Sequence, residues 1–242
     1  MSLDTALEVV VDAIRRRPPR RVVVFTGAGV SAESGIPTFR GAGGLWRNFR
    51  SEDLATPEAF ARDPKLVWEW YEWRRGLVRE AQPNAAHRAI AKLEDAVVVT
   101  QNVDALHARA GSRDIIELHG NLFRVRCTHE RTTHDRNEAF DDLPPHCECG
   151  ALLRPDIVWF GEMLSPAALE RASREISECD LLIVIGTSGV VYPAAGLVAL
   201  HRAISIEINP QPSSVSACKF AIAATAVEAT PKIVEAILEG RR

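Results

Sequence analysis

Lysine is scarce in this chain. Lys65, Lys92, Lys219 and Lys232 are the only ones in 242 residues, so nearly all positive charge is arginine. That charge is not in excess: the formal net charge is −3, which argues against non-specific nucleic-acid binding driven by a basic surface. No apolar run approaches the roughly 18 residues that a membrane helix needs. The opening MSLDTALEVVVDAIRRRPPR is apolar first and basic last, the reverse of a secretory signal. The expectation is a cytoplasmic protein with no nucleic-acid or membrane partner. Internal repeats and low-complexity segments are also lacking. What remains is an ordinary globular composition, 46% hydrophobic and 25% charged, long enough for one large domain or one domain with a smaller insertion. There are five cysteines. Cys127, Cys147 and Cys149 lie near one another, while Cys179 and Cys218 stand alone and read as small buried hydrophobes.

Residues 4–16 have the spacing of an amphipathic helix, stopped by Pro18 and Pro19. RVVVFTGAG, AVVVTQNVD, DLLIVIGTS and AISIEINP are apolar runs that turn abruptly polar or small, and IIELHGN is a shorter version. Continuous apolar runs of this length fit parallel strands buried on both faces. In open α/β sheets the carboxyl ends of such strands form the ligand crevice. PKIVEAILEG reads as a closing helix. The alternation predicts a Rossmann-like, doubly wound parallel α/β sheet. Residues 41–90, aromatic and helical, and 122–154, polar and rich in His and Cys, interrupt it. They are expected to form a smaller inserted domain, helical and zinc-ribbon-like, leaving 1–40, 91–121 and 155–242 as the nucleotide-binding part.

The first run enters Gly27-Ala28-Gly29-Val30-Ser31-Ala32, a G-x-G-x-x-A turn after a strand. Glycines there allow a tight turn and the close approach of a pyrophosphate to backbone N–H groups. The acidic residue that ordinarily follows about 20 positions later to hold the ribose is missing. A glycine-rich loop carrying Phe39, Arg40 and Trp46 takes its place and is expected to fold over the nicotinamide half of a dinucleotide.

GAGVSAESGIPTFRG, TQNVDALHARAG, ELHGN, RPDIVWFGE and GTSGVVYPAA follow one another in this order. From about residue 21 onward the chain resembles the sirtuins, NAD-dependent protein lysine deacylases. The resemblance implies NAD as cosubstrate and acylated lysine side chains of proteins as partners. Nicotinamide is released, the acyl oxygen joins the ribose, and a ribose hydroxyl then attacks with the help of a general base. His119 matches that base, a role suited to a neutral imidazole. Gln101, Asn102 and Asp104 match the family's Q-N-x-D, with Asn102 in the catalytic set. Gly27, Ala28, Gly29, Ser31, Gly186, Thr187, Ser188, Asn209 and Ala226 match positions along the NAD. Val158 and Phe160 fall in the segment that would pair strand against strand with the substrate backbone. His107 reads as a helix residue outside the chemistry.

The segment WEWYEWRRGL, 68–77, sets three tryptophans and a tyrosine beside two arginines. Tyr71 and Arg74, three apart, share a helix face. Sirtuins that remove succinyl, malonyl and glutaryl groups carry Tyr-x-x-Arg here. A carboxylate entering an apolar tunnel needs a partner, and a guanidinium fork with a phenol offers donors. One alternative for the segment is an amphipathic helix with its tryptophans packed inward and both arginines in water; the alternatives in function are a plain deacetylase, in which Tyr71 and Arg74 do not reach the acyl chain, or a sensor of NAD or ADP-ribose without turnover. ADP-ribosyl transfer to protein would share the first step. Glu72 and Glu80 are the candidate partners of Arg75.

The resemblance also implies structural zinc held by two cysteine pairs. Here Glu130 stands where the second cysteine of the first pair is usual, and Cys147 and Cys149 are separated by one residue. Cys127, Cys147 and Cys149 are the expected ligands, with His129, His134 or His146 as the fourth.

Overall fold

The computed structural model describes residues 3–37, 50–187, 194–212 and 218–242. An N-terminal helix, α1 (Leu3–Arg16), leads into β1 (Val22–Thr26). Helices α2 (Ser51–Leu54), α3 (Pro57–Arg62), α4 (Pro64–Glu80) and α5 (Ala85–Ala91) follow before β2 (Val97–Thr100), α6 (Leu106–Ala110) and β3 (Asp114–Glu117). Then come β4 (Gly120–Cys127), β5 (Thr133–Asp135), β6 (Leu153–Ile157), α7 (Pro166–Glu178), β7 (Leu181–Ile185), α8 (Ala194–Leu197), β8 (Ile204–Ile208), β9 (Phe220–Ile222) and α9 (Ala226–Gly240).

Six strands form one sheet in the order β3-β2-β1-β7-β8-β9, and every neighbouring pair is parallel. This is the expected doubly wound sheet. Alternate residues of a strand face opposite sides, and β1 shows it: Val22 and Val24 join one core cluster with α1, α5 and α9, while Val23 and Phe25 join another with α7 and α8. The chain runs from β1 outward through β2 and β3, then returns to β7 on the other side of β1. The point where strand order reverses therefore lies between β1 and β7, the place where an open sheet leaves a crevice.

The interrupting segments pack together around a third core. It joins Leu54, Phe60, Val67, Trp68, Trp70 and Tyr71 to Leu122, Val125, Cys127, Leu153 and Trp159. The helices are set by local signals. Thr56 caps α3 by accepting from the Ala59 N–H, and Asp63 caps α4 by accepting from Leu66, each followed by proline in the first turn. A three-stranded antiparallel sheet, β5-β4-β6, is the form the expected zinc-ribbon-like part of the insertion takes. Val125 and Cys127 are buried in it, while Arg124 and Arg126 are half-exposed. β9 is three residues long, too short for a periodic signal. α9 begins before the quoted PKIVEAILEG, because Thr225 and Glu228 form a reciprocal cap at its start.

Candidate active site

The glycine turn differs in one respect from the sequence reading. It enters a 3-10 helix of seven residues, Ala28–Ser34, not a full α-helix, so little helix dipole points at the turn. The close approach it permits is first of all between two loops. The Gly27 N–H donates to the Ile185 carbonyl at 3.0 Å and the Gly29 N–H to Gly186 at 2.8 Å. A Cβ on Gly29 would lie 2.6 Å from the Gly186 Cα, and one on Gly186, where φ is +60°, 2.5 Å from the Gly29 carbonyl carbon. The glycines at the ends of β1 and β7 thus interlock across the switch point. Ala28, partly exposed, starts the 3-10 helix.

The end of β2 supplies the next layer. Gln101 donates from Nε2 to the Thr187 hydroxyl at 3.2 Å, and Asn209, at the end of β8, donates from Nδ2 to the Thr187 carbonyl at 3.0 Å. Gln101, Thr187 and Asn209 therefore line up along the carboxyl edge of the sheet. Ala226 is buried at the start of α9, in the cluster that also holds Val30. Phe39, Arg40, Trp46 and Ser188 lie outside the described residues.

Asn102 and Asp104 are engaged inside the protein. Asn102 Nδ2 donates to the Gly27 carbonyl at 3.1 Å and to Ser31 Oγ at 3.2 Å. Ser31 donates to Asp104 Oδ2 at 2.7 Å, and Asp104 Oδ1 accepts from the Leu106 N–H at 2.9 Å. Ser31 is 1% exposed and Asp104 5%. These groups brace the glycine turn against β2. Behind them lie two histidines that motif spacing does not reveal as a pair. His87 Nε2 approaches Ser31 Oγ at 3.4 Å, and His107 Nε2 approaches Thr26 Oγ1 at 3.0 Å, with the rings 4.8 Å apart. Thr26 in turn donates to Thr100 Oγ1, which accepts the Asn102 backbone N–H. Burial pushes His87 down to about 4 and His107, also facing His87, down to about 3. Both are neutral near pH 7 and serve as hydrogen-bonding parts. His107 therefore belongs to the braced network at the site, not merely to a helix.

His119 sits where β3 turns into β4. Its Nδ1 lies 2.9 Å from the Gln101 carbonyl. A carbonyl only accepts, so Nδ1 carries the proton and Nε2 presents a lone pair. Burial holds the ring below the ordinary imidazole range, although the bond to Gln101 works the other way. Gly120, with φ of +83°, lets the chain turn directly after it; a Cβ there would sit 2.0 Å from the Asp156 carbonyl oxygen.

On α4, the paired Tyr71 and Arg74 face inward. Tyr71 is 1% exposed and Arg74 5%, so the alternative with both arginines in water is excluded. Burial lowers the Arg74 pKa, while Tyr71 and Asp104 act to raise it, which places this guanidinium within the field of the Q-N-x-D aspartate. Its Cζ lies 5.6 Å from the Trp70 ring centre. Burial raises the Tyr71 pKa, so the phenol keeps its proton. Arg75 turns the other way. It pairs with Glu72 at 3.0 Å, resolving the choice left open with Glu80, and donates to the carbonyls of Leu122, Arg136 and Glu138.

The segment after β6 leaves the small sheet and ends in a turn. β6 ends at Ile157, and Gly161 has φ of +86°. The Val158 N–H donates to the His119 carbonyl and the Phe160 N–H to Ala55. Phe160 is 54% exposed.

The cysteine cluster is assembled differently from the expectation. Cys127, Glu130, Cys147 and Cys149 bring one donor atom each within 4.8 Å of one another. The fourth member is Glu130, not His129, His134 or His146. The Glu130 N–H donates to Cys127 Sγ at 3.3 Å, which favours the thiolate. Three sulfurs and a carboxylate oxygen in so small a volume suit a four-coordinate zinc ion.

A parallel sheet with a braced crevice at its switch point, an imidazole at the rim and a cysteine-bearing module beside it define a nucleotide-handling α/β protein with a small inserted unit. The chain belongs to the Sir2 family, whose pattern matches residues 27–193. It is 50% identical over 227 residues to the NAD-dependent protein deacylase 2 of Pyrobaculum aerophilum, covering 90% of this chain and 91% of that one. A Sir2 homologue mutant solved with ADP-ribose superposes with a TM-score of 0.89 at 44% identity, covering 100% of this chain and 98% of that one. A Sir2–p53 peptide–NAD+ structure gives 0.82 at 31% identity, covering 97% and 98%. No helix among the described residues is long and apolar enough to cross a membrane.

Proposed function

We propose that this protein is an NAD-dependent protein lysine deacylase that favours acidic acyl groups such as succinyl and malonyl and removes acetyl groups as a second activity. Bound NAD would supply the electrophilic ribose carbon and carry the acyl group away. The chain's own contribution is positional and electrostatic. Gly27, Ala28, Gly29, Thr187 and Asn209 form the edge on which the dinucleotide rests, and the Asn102-Ser31-Asp104 brace keeps that edge rigid. His119, neutral and with Nε2 unprotonated, takes a proton from the ribose hydroxyl. The exposed Phe160 and the neighbouring Val158 border the peptide.

The observation that carries the acyl preference is the burial of Arg74 one helical turn from Tyr71, on a helix whose apolar face packs with Leu122, Val125 and Trp159. An acyl carboxylate entering there would find a guanidinium and a protonated phenol in a water-poor site, where charged hydrogen bonds are strong. An acetyl group gains nothing from either. Arg74→Ala should therefore lower the ratio of succinyl-lysine to acetyl-lysine turnover, in kcat/KM, by roughly ten- to a hundredfold, the worth of one or two charge-assisted bonds. An unchanged ratio would leave a plain deacetylase. Product masses from NAD and a panel of acyl-peptides would also separate deacylation from ADP-ribosyl transfer and from binding without turnover.

We further propose that Cys127, Glu130, Cys147 and Cys149 hold one structural zinc, away from the chemistry. It would tie the turn after β4 to the Cys147–Cys149 turn, adding binding free energy to folding. Purified protein should contain about one zinc per chain, and chelation should lower its melting temperature. Metal-free protein with an unaltered melting curve would rule this out.

A further inference from the structure

Four residues outside the Tyr-x-x-Arg pattern form a connected group that reaches its tyrosine through Trp159. The Trp159 indole Nε1–H donates to Tyr71 Oη at 2.9 Å, across 88 positions of chain. Trp159 is 3% exposed, and its ring is held from several sides. Phe60 lies 5.3 Å away, centre to centre. The Arg154 guanidinium carbon sits 3.5 Å from the ring centre. Arg154 is itself clamped, with both terminal nitrogens on the Glu162 carboxylate at 2.6 and 2.8 Å and one of them also on the Ile157 carbonyl. Glu162 closes the loop by accepting the Trp159 backbone N–H at 2.8 Å. Burial opposes its ionisation, but the bonds from Arg154 and Trp159 outweigh that and keep its pKa below the usual range.

We propose that Trp159, fixed by the Arg154–Glu162 pair, is a specificity-determining positioning residue that aims the Tyr71 hydroxyl at an acidic acyl group. The inference rests on the acyl preference proposed above. A phenol O–H lies near the ring plane and chooses between two opposite directions. An indole N–H arriving at the oxygen takes one side, so the phenol proton points to the other. The tyrosine becomes a donor set in advance, and its proton is made more available because its oxygen is already accepting. A cation over the indole face favours this arrangement, and strengthens the N–H as a donor. An aimed donor stabilises a carboxylate far more than a methyl group, so the device acts on the choice of acyl chain.

The test is a cycle of Trp159→Phe and Tyr71→Phe, read as the succinyl-to-acetyl ratio of kcat/KM. Phenylalanine keeps an aromatic ring between Phe60 and Arg154 and removes only the N–H donor and some bulk. Trp159→Phe should lower the ratio about five- to tenfold, chiefly through KM for the succinyl peptide, as expected for one hydrogen bond. In the Tyr71→Phe background the same change should leave the ratio where Tyr71→Phe alone puts it. Glu162→Gln, which weakens the clamp while leaving the indole side chain itself unchanged, should lower the ratio two- to threefold and serves if the first variant fails to fold. Should Tyr71→Phe lower the ratio while Trp159→Phe and Glu162→Gln do not, the inference is wrong and the acyl preference stands. Equal effects of Trp159→Phe with and without the Tyr71 hydroxyl would overturn it too. If none of the variants moves the ratio, the acyl preference itself fails.

Discussion

Replacement of His119 by alanine is expected to lower kcat/KM for every acyl-peptide by about a hundred- to ten-thousandfold, the usual worth of a positioned general base. The fold should survive. The ring is only partly buried, its one bond among the described residues is to the Gln101 carbonyl, and the strained turn belongs to Gly120. Binding of NAD by calorimetry should therefore persist while turnover is lost. The wild-type protein carries a companion signature in its pH profile. Burial depresses the His119 pKa below the ordinary imidazole value, so the neutral, proton-accepting form predominates above pH 6.5 and persists somewhat below it. As pH falls through the depressed pKa the ring protonates and the rate declines. The acid limb should accordingly have its midpoint below pH 6.5. An alanine variant with normal turnover, or an acid limb that remained in that variant's residual rate at the same midpoint, would remove the histidine from its role.

The second large effect concerns stability. Arg75→Ala should cost about 3–5 kcal/mol, the range seen when one partner of a buried ion pair is removed. The side chain is fully buried and ties α4 to β4 and to the 136–138 segment through three carbonyls and Glu72. Truncation would leave those carbonyls without their donor. It would also remove the cation from between the rings of Phe123 and Phe140, each just over 5 Å away. Glu72 would retain Arg79 at 2.9 Å, which limits the loss. Urea unfolding of both proteins would measure the difference. A change under 1 kcal/mol would mean that water replaces the guanidinium at little cost.

Neighbouring arginines of one helix thus have opposite assignments. Arg75 ties α4 to β4 and to the 136–138 segment, whereas Arg74, buried beside Tyr71, is the one proposed above to meet an acyl carboxylate. From the sequence the two were distinguishable only by their spacing from Tyr71. A similar limit applied to the cysteine module. Three histidines near Cys127 were plausible fourth ligands by composition, but Glu130 is the one brought to the sulfurs. The turn after Cys127, with Arg131 in the left-handed region at φ of +59°, folds Glu130 back over Cys127. Ligand choice depended on a turn conformation that residue types did not dictate. Val125 and Cys127 alternate with Arg124 and Arg126 in β4, a pattern too short to stand out, and the pairing of β4 with β6 is irregular between Asn121 and Val125.

By itself the sequence determined the doubly wound sheet and its ligand edge, because a strand buried on both faces must be continuously apolar and must become polar where it leaves the core. It also determined that Tyr71 and Arg74 share a face, since helical geometry fixes the relation of residues three apart. Only the tertiary structure decided which polar groups meet: Ser31 with Asp104 and His87, His107 with Thr26, Trp159 with Tyr71. Hydrogen bonds act over about 3 Å between residues that lie dozens of positions apart, and no period of a helix or strand encodes such a distance.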